Sequence, residues 1–223
     1  EKNKRELYPY GFKTENIVYV GIDLAEKINE TAIVAVEKIG QKFIMRFLTT
    51  LPGADYATEQ IPYIVNVNAN FNPLAIKVDR GGPGEGVVSE LEKLLPGRVW
   101  GEYLSGQMKE KLIVHMRMLM EAKLLEIPRD MKLIDQIHSI ERTTTQSGMH
   151  SRYTGKRTGQ DDYVWATALS IYEEVEMDGD PYISTLEDKA MLPFTNQPRW
   201  GETLQKHIAE HKADYTEEIV VLT

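Results

Sequence analysis

The sequence contains no cysteine, and it lacks the marks of several other protein classes. Without cysteine, disulfide scaffolds, thiol catalysis and cysteine-ligated zinc or iron–sulfur sites are excluded. No apolar run approaches the ~18–20 residues of a membrane span, and the polar N-terminus lacks the apolar core of a secretion signal. We therefore expect a cytoplasmic protein with no membrane partner. Because the chain begins at Glu1 rather than Met, we expect a fragment or a processed product.

A basic surplus is also missing, because the 223 residues carry a net charge of −8. This balance argues against a large, uniformly basic nucleic-acid-binding surface. The charge is uneven, however: residues 105–160 carry ten basic and six acidic side chains, whereas residues 161–177 carry five acidic and no basic ones. The pattern has two interpretations, which are solvated faces of ordinary composition and a patch that meets an anion.

The length and the hydrophobic fraction of 42% indicate one globular domain with appendages. Residues 1–16 are polar and contain proline and glycine, which predicts a linker or arm. Residues 17–177 form the predicted domain, and residues 178–223 a C-terminal tail that packs on it or extends from it.

Short runs of β-forming residues come first along the domain, and helical periodicity dominates later. This order predicts an α/β fold, in which three antiparallel strands and parallel βα units form a mixed sheet with helices on both faces. Strands are predicted at 17–22, 31–38, 42–51, 74–78 and 99–103, helices at 57–69, 85–94, 109–126 and 161–175, a helix or helix-then-strand at 131–140, and an exposed hairpin or loop at 143–159.

Acidic residues stand where predicted elements end or begin. Asp23 ends the first strand, Asp79 ends the fourth, and Asp161 and Asp162 begin the last helix. Ligands gather at the carboxyl ends of strands in α/β sheets, so these acids converge if the two strands are neighbours. Converging carboxylates repel one another, and Mg²⁺ or Mn²⁺, which prefer oxygen ligands, would remove that repulsion. The alternative for each acid is a turn or capping role, which is favoured for Asp161 as a helix N-cap.

Three segments around these acids form a pattern. They are VGIDLA at 20–25 followed by TAIV at 31–34, IKVDRGGPG at 76–84, and GQDDYVWATAL at 159–169. In this order they resemble the first hairpin, the fourth strand and the final catalytic helix of the RNase H-like nuclease domain of large terminase subunits, the DNA-packaging motors of tailed viruses. The resemblance covers about residues 17–176.

The resemblance implies a metal-dependent endonuclease that cuts double-stranded DNA during viral genome packaging. It implies that Asp23, Asp79 and Asp162 are catalytic and hold two Mg²⁺ or Mn²⁺ ions, with Asp161 as a further metal ligand. It also implies an ATPase domain upstream of this chain, the portal and the small terminase subunit as partners, and a place in the host cytoplasm.

The basic stretch fits such a nuclease. Arg142, Arg152, Lys156 and Arg157 lie between the fifth predicted strand and the catalytic helix, where they would hold DNA phosphates beside an acidic site. A polar hairpin that carries solvated charge is the alternative of similar weight.

Three other functions stay open from the sequence. A junction resolvase or RNase H would share the same fold and acids. An actin-like sugar kinase or ATPase domain would also begin with a Gly-x-Asp strand and a hairpin, but the residues after Asp23 lack its phosphate-gripping Gly-Thr or Gly-Ser. The third is a docking module that has lost nuclease activity, which three intact acids oppose.

Overall fold

A computed structural model describes residues 13–25, 30–52, 55–82, 84–144, 151–155 and 161–172. It confirms the predicted mixed sheet and the order of its elements. The strands are β1 (Ile17–Asp23), β2 (Glu30–Ile39), β3 (Lys42–Pro52), β4 (Ala75–Asp79), β5 (Val99–Glu102), β6 (Leu125–Glu126), β7 (Ile140–Thr144) and β8 (Ser151–Gly155), and the helices are α1 (Ile61–Phe71), α2 (Gly84–Leu94), α3 (Gly106–Glu121), α4 (Met131–Ser139) and α5 (Asp162–Ile171).

Six strands form the main sheet in the order β5-β4-β1-β2-β3-β6. The pairs β1–β2 and β2–β3 are antiparallel, as successive hairpin strands must be, and Gly40 provides the positive φ of 60° in the β2–β3 turn. The pairs β1–β4, β4–β5 and β3–β6 are parallel. Strand β1 is therefore a central strand between β2 and β4, and its side chains are buried from Val18 to Asp23.

The alternation of side chains along β1 assigns its two faces. Val18, Val20 and Ile22 belong to one apolar cluster with side chains of α1 and α2, including Ile64 and Val88. The intervening residues of β1 face the opposite side, where α5 packs on β1, β2 and β4. Helices thus cover both faces of the sheet, as predicted, and Asp23 lies on the α5 side.

Gly21 allows α5 to lie directly on β1. A Cβ atom at this position would stand 2.5 Å from the amide nitrogen of Ser170 and closer still to the carbonyl oxygen of Ala166. Both obstacles are helix backbone, so no side-chain rotation could relieve the clash. The residue after Val20 therefore has to be glycine for the helix to hold its present height above the sheet.

Helix α3 differs from its prediction at both ends. It begins at Gly106 rather than 109, after the cap Ser105, whose hydroxyl accepts a hydrogen bond from the Met108 amide at 3.2 Å. It ends at Glu121 rather than 126, because Lys123 takes a left-handed conformation with a φ of 58°. The buried Leu125 then joins the sheet edge as β6. Apolar periodicity alone does not reveal this change, since Leu125 is apolar in either structure.

The other boundaries differ less. A π-helical turn, Tyr56–Gln60, precedes α1 where a single helix over 57–69 was predicted. Residues 131–140 follow the helix-then-strand alternative, and β7 pairs with β8 as the predicted hairpin. Helix α5 ends at Ile171 rather than 175, with Tyr172 extended.

Part of the predicted arm is attached to the sheet. The hydroxyl of Thr14 and the side-chain amide of Asn16 both donate to the carboxylate of Glu37 on β2, the latter at 2.8 Å. Burial would raise the pKa of Glu37, but these two hydrogen bonds and the ion pair with Arg46 outweigh it and lower the pKa. Residues 1–12 of the arm and the tail 178–223 lie outside the described residues. No helix in the described ranges is long and apolar enough to cross a membrane.

We expect Gly21→Ala to destabilise the domain by about 1–3 kcal/mol, the usual cost of forcing extra atoms into a packed core. Gly86→Ala is the matched control, because a Cβ there meets no atom within 4 Å on α2. Alanine is a better helix former than glycine, so this control should be neutral or more stable by up to about 1 kcal/mol. Urea unfolding measures the stability of both variants, provided that the dependence of the free energy on urea concentration is unchanged. Equal stabilities would contradict the close approach of α5 to β1.

Candidate active site

Two strand ends bring the first pair of acids together. Ile22 of β1 pairs with Val78 of β4 in a parallel ladder, so Asp23 and Asp79 are the next residues on neighbouring strands. Neighbouring strands lie about 4.8 Å apart. Both acids also fall on the α5 side, because Ile22 and Val78 belong to the cluster on the other face. The structure thus places Asp23 and Asp79 side by side at the carboxyl edge of the sheet.

Helix α5 brings the remaining acids to the same edge. Its first residue, Asp162, lies one turn before Ala166, whose carbonyl oxygen sits against Gly21. Asp161 occupies the predicted N-cap position, and its carbonyl oxygen accepts hydrogen bonds from the amides of Val164 and Trp165 at 3.0 and 3.1 Å. The side chain of Asp161 makes no capping hydrogen bond, contrary to the role favoured for it from the sequence.

The charges of these acids act on one another. Burial raises the pKa of Asp23 well above its usual value, and the charges of Asp162, Asp79 and Asp161 raise it further, against a lowering by Lys109. Asp23 is 9% exposed, so little water screens these charges. The four predicted acids therefore form one electrostatic group around Asp23.

Asp162 shows the same behaviour at the helix start. Burial is the main cause that raises its pKa to about 6, and the charge of Asp161 adds to it. Glu30 raises the pKa as well, whereas Lys132 lowers it. Two carboxyl groups of the cluster thus hold their protons more strongly than ordinary carboxylic acids do.

The backbone on either side of the acids is fixed by hydrogen bonds. The amide of Gly81 donates to Oδ1 of Asp79 at 2.8 Å, which orients that carboxylate. After Asp23, the carbonyl oxygen of Ala25 accepts a hydrogen bond from the buried side chain of Gln60 at 3.0 Å. The amide of Ala25 donates to the Thr31 hydroxyl at 2.9 Å. The ends of β1 and β4 are therefore both held in place.

The four acids offer only carboxylate oxygens as metal ligands, and oxygen ligands suit Mg²⁺ or Mn²⁺. A bound cation would also relieve the mutual repulsion of the four carboxylates. Within the described residues, however, no three His, Asp or Glu side chains are already grouped as a metal site. The role of these acids as metal ligands is therefore a proposal.

The predicted DNA-binding residues lie on or beside the β7–β8 hairpin. Arg142 on β7 pairs with Tyr153, and Arg152 on β8 pairs with Thr143, so the two arginines are at adjacent rungs of the ladder. Lys156 and Arg157 lie outside the described residues.

Two lysines near the acids were not identified as site residues from the sequence. The ammonium of Lys132 on α4 pairs with Glu30 and lies 4.7 Å from the centroid of the Tyr163 ring. The ammonium of Lys109 on α3 lies 4.3 Å from the centroid of the Trp165 ring. Lysines are common in helices, and only the packing of α3 and α4 on α5 distinguishes these two.

Several solved structures with similar folds are large terminases or their nuclease domains. The large terminase nuclease from thermophilic phage G20c with bound magnesium is 19% identical, with a TM-score of 0.64 over 72% of this chain and 83% of that chain. The nuclease domain of the large terminase subunit of bacterial virus Sf6 with manganese and beta-thujaplicinol is 10% identical, with a TM-score of 0.58 over 72% and 90%. The large terminase of bacteriophage HK97 is 12% identical, with a TM-score of 0.54 over 72% and 40%.

The family model agrees with these folds. No curated protein matches the sequence. Residues 20–174, however, match the model of the terminase RNase H-like domain, and they include all four acids and run from within β1 to beyond the end of α5. Because this match covers well over half of the chain, the protein belongs to the terminase RNase H-like domain family.

Proposed function

We propose that this chain is the endonuclease domain of a viral DNA-packaging machine and that it hydrolyses phosphodiester bonds of double-stranded DNA. The single observation that carries the proposal is the buried Asp23 among three other acids at the carboxyl edge of the sheet. A fold gains no stability from such repulsion, so a function for the cluster explains it better than packing does. Family membership supports a terminase nuclease over a resolvase, an RNase H or a sugar kinase.

Asp23, Asp79 and Asp162 would hold two Mg²⁺ or Mn²⁺ ions, with Asp161 as a further ligand. When bound, such an ion pair activates a water molecule and stabilises the leaving oxygen of a phosphodiester. The solved neighbours from G20c and Sf6 carry magnesium and manganese, respectively, which supports this choice of ions.

The chain itself would position the ligands and admit the substrate. Strands β1 and β4 hold Asp23 and Asp79 in adjacent register, and the contact of α5 with Gly21 sets the height of Asp162 above them. The Gly81 amide donates one hydrogen bond to Oδ1 of Asp79, and the remaining lone pairs of that carboxylate would serve a metal ion. DNA phosphates would be held by Arg142, Arg152, Lys156 and Arg157, the residues singled out by the basic stretch.

The remaining partners follow from the packaging role. Residues 17–177 would be the nuclease domain and residues 178–223 its tail, with the arm leading from an ATPase domain of the same subunit. The portal and the small terminase subunit would be the other partners, in the host cytoplasm. The match to the HK97 large terminase covers 40% of that longer chain, which supports the place of this fold within a larger subunit.

Incubation with supercoiled plasmid tests the proposed function. We expect nicked and linear products with Mn²⁺ or Mg²⁺ and none with EDTA. Intact plasmid in every divalent metal condition, with folded protein, would refute nuclease activity.

We expect Asp23→Asn and Asp79→Asn each to abolish plasmid cleavage, because an amide is a much weaker metal ligand than a carboxylate. The fold should survive or become more stable, since each change removes a repelling charge. Glu90→Gln on the exposed side of α2 is the matched control and should cleave like the wild type. Cleavage by either aspartate variant at the control rate would remove that residue from the site.

We expect the stability of the metal-free protein to fall as pH rises from 5 to about 7.5. Asp162 has a pKa of about 6 in the fold against 3.8 ordinarily, and the pKa of Asp23 is also raised. These two groups therefore bind more protons in the folded state than in the unfolded state from about pH 4 up through their raised pKa values, and the loss of those protons as the pH rises costs stability. Asp23→Asn should be more stable than the wild type at pH 7.5 in EDTA, and its advantage should shrink at pH 5.

Thermal melts of the wild type and Asp23→Asn across this pH range measure the difference in their melting temperatures. The other titrating groups are common to both proteins, so their contributions cancel in this difference. Adding Mg²⁺ at pH 7.5 should raise the melting temperature of the wild type more than that of Asp23→Asn. A difference between the two proteins that does not change with pH would show that Asp23 keeps an ordinary pKa.

We expect the triple change of Arg152, Lys156 and Arg157 to alanine to weaken duplex DNA binding and to reduce the salt slope by about one per lost phosphate contact. Binding is measured by fluorescence anisotropy against salt concentration in Ca²⁺, which suppresses cutting.

A second triple variant controls for the change in net charge. Lys42, Lys93 and Arg117 are exposed on other parts of the chain, with side chains 52%, 69% and 76% accessible. Their replacement by alanine removes the same three charges and should leave the slope nearly unchanged. Identical slopes for both triple variants would mean that the hairpin region is a solvated surface and that DNA follows another path.

A further inference from the structure

The position of Lys109 beside the acid cluster suggests a role in binding the substrate. We propose that its ammonium contacts a phosphate oxygen of the DNA strand that is cut, beside the acid cluster. This inference rests on the proposed nuclease function and adds to it a substrate-contacting residue outside the four acids and the basic hairpin.

The position of Lys109 is fixed at both of its ends. Its backbone amide donates to the carbonyl oxygen of Ser105 at 2.8 Å in the first turn of α3. Its ammonium lies 4.3 Å from the centroid of the Trp165 ring, within the range of a cation–π contact. Trp165 is only 1% exposed, so the ring is a rigid support.

Trp165 connects this lysine to the acids. Its amide donates to the carbonyl oxygen of Asp161 at 3.1 Å, so ring and acids share the first turn of α5. The ammonium therefore lies on helix α5, in the turn that follows Asp161 and Asp162, at the edge where DNA would be cut.

The second lysine at the cluster is engaged differently. Lys132 has a carboxylate partner in Glu30, with which it forms an ion pair. Among the described residues, no carboxylate lies within ion-pair distance of Lys109. A lysine ammonium has three donors, and an aromatic face satisfies the charge without using the donors in hydrogen bonds.

A phosphodiester is the ligand that best fits these donors. DNA must bring its negative backbone to an edge that already holds four acids, so a cation at that edge lowers the electrostatic barrier to approach. Lysine binds phosphate as a compact point charge and needs no bidentate geometry. Lys109 is partly exposed, so a ligand could reach its side chain from solvent.

The test compares Lys109→Met with Lys111→Met, a control on the same helix that removes the same charge from an exposed position. Duplex DNA binding is measured in Ca²⁺ by anisotropy at several salt concentrations, and plasmid cleavage in Mn²⁺ at saturating DNA. For Lys109→Met we expect a salt slope smaller by about one and roughly five- to tenfold weaker binding at 0.1 M salt. We also expect kcat to fall by about a hundredfold, the usual effect of losing a donor at the reacting phosphate.

Two further variants separate contact with DNA from support of the fold. Lys109→Arg keeps both the charge and the stacking on Trp165, so it should restore the salt slope. Lys109→Gln provides a second neutral side chain in case Lys109→Met does not fold. A neutral variant that lowers the melting temperature but keeps the slope and kcat of Lys111→Met would make Lys109 a structural residue and overturn the inference.

Failure of this inference differs from failure of the proposed function. If the wild type itself does not cut plasmid, the nuclease proposal fails. If the wild type cuts and Lys109→Met matches Lys111→Met in slope and kcat, only the role of Lys109 is wrong.

Discussion

The contact between α5 and β1 at Gly21 is the constraint on which the site depends. It lets helix backbone rest on strand backbone, with no side chain between them. Any larger residue would lift the helix away from the sheet and move Asp162 away from Asp23. The same contact places Trp165 and Tyr163 at the sides of the helix, where they meet lysines of α3 and α4. One missing Cβ atom thus sets the distance between strand-borne and helix-borne acids.

The acid cluster is the part of the fold that works against its own stability. Asp23 is buried, and burial together with neighbouring negative charge makes its ionised form unfavourable. The surrounding sheet tolerates this because β1 is central and its other face is packed with Val18, Val20 and Ile22. A local conflict held in place by a well-packed core is typical of functional sites.

The two lysines show how the fold offsets that negative charge. Lys132 is held by Glu30 and moderates the charge on Asp162 from within the protein. Lys109 is held by an aromatic ring, which fixes its position while leaving its donors for another group. Similar residues on neighbouring helices thus have different chemistry, because one is supported by a carboxylate and the other by an apolar surface.

Local sequence patterns were sufficient for strands β1 to β5 of the main sheet and for the positions of the four acids at element ends. The β-forming run before Asp23, the turn at Gly40 and the strand that ends at Asp79 depend on residues close in sequence, and the structure confirms all three. Asp161 and Asp162 could be placed at a helix start for the same reason. The adjacency of β1 and β4, by contrast, does not follow from local patterns, because it depends on the parallel pairing of two strands that are distant in sequence.

Tertiary structure decided the features that depend on partners distant in sequence. After the left-handed Lys123 ends helix α3, Leu125 pairs with Phe43 at the sheet edge, a partner that is distant in sequence. Gln60 and Lys109 reach the site only because their helices pack in a particular orientation. Hydrophobic periodicity predicts where these helices lie in the sequence, but it does not predict how they are oriented in the fold. The sequence by itself determined which acids end their strands, because strand propensity and turns are local. Only the fold decided which cations and hydrogen bonds surround those acids, because such contacts are set by long-range packing.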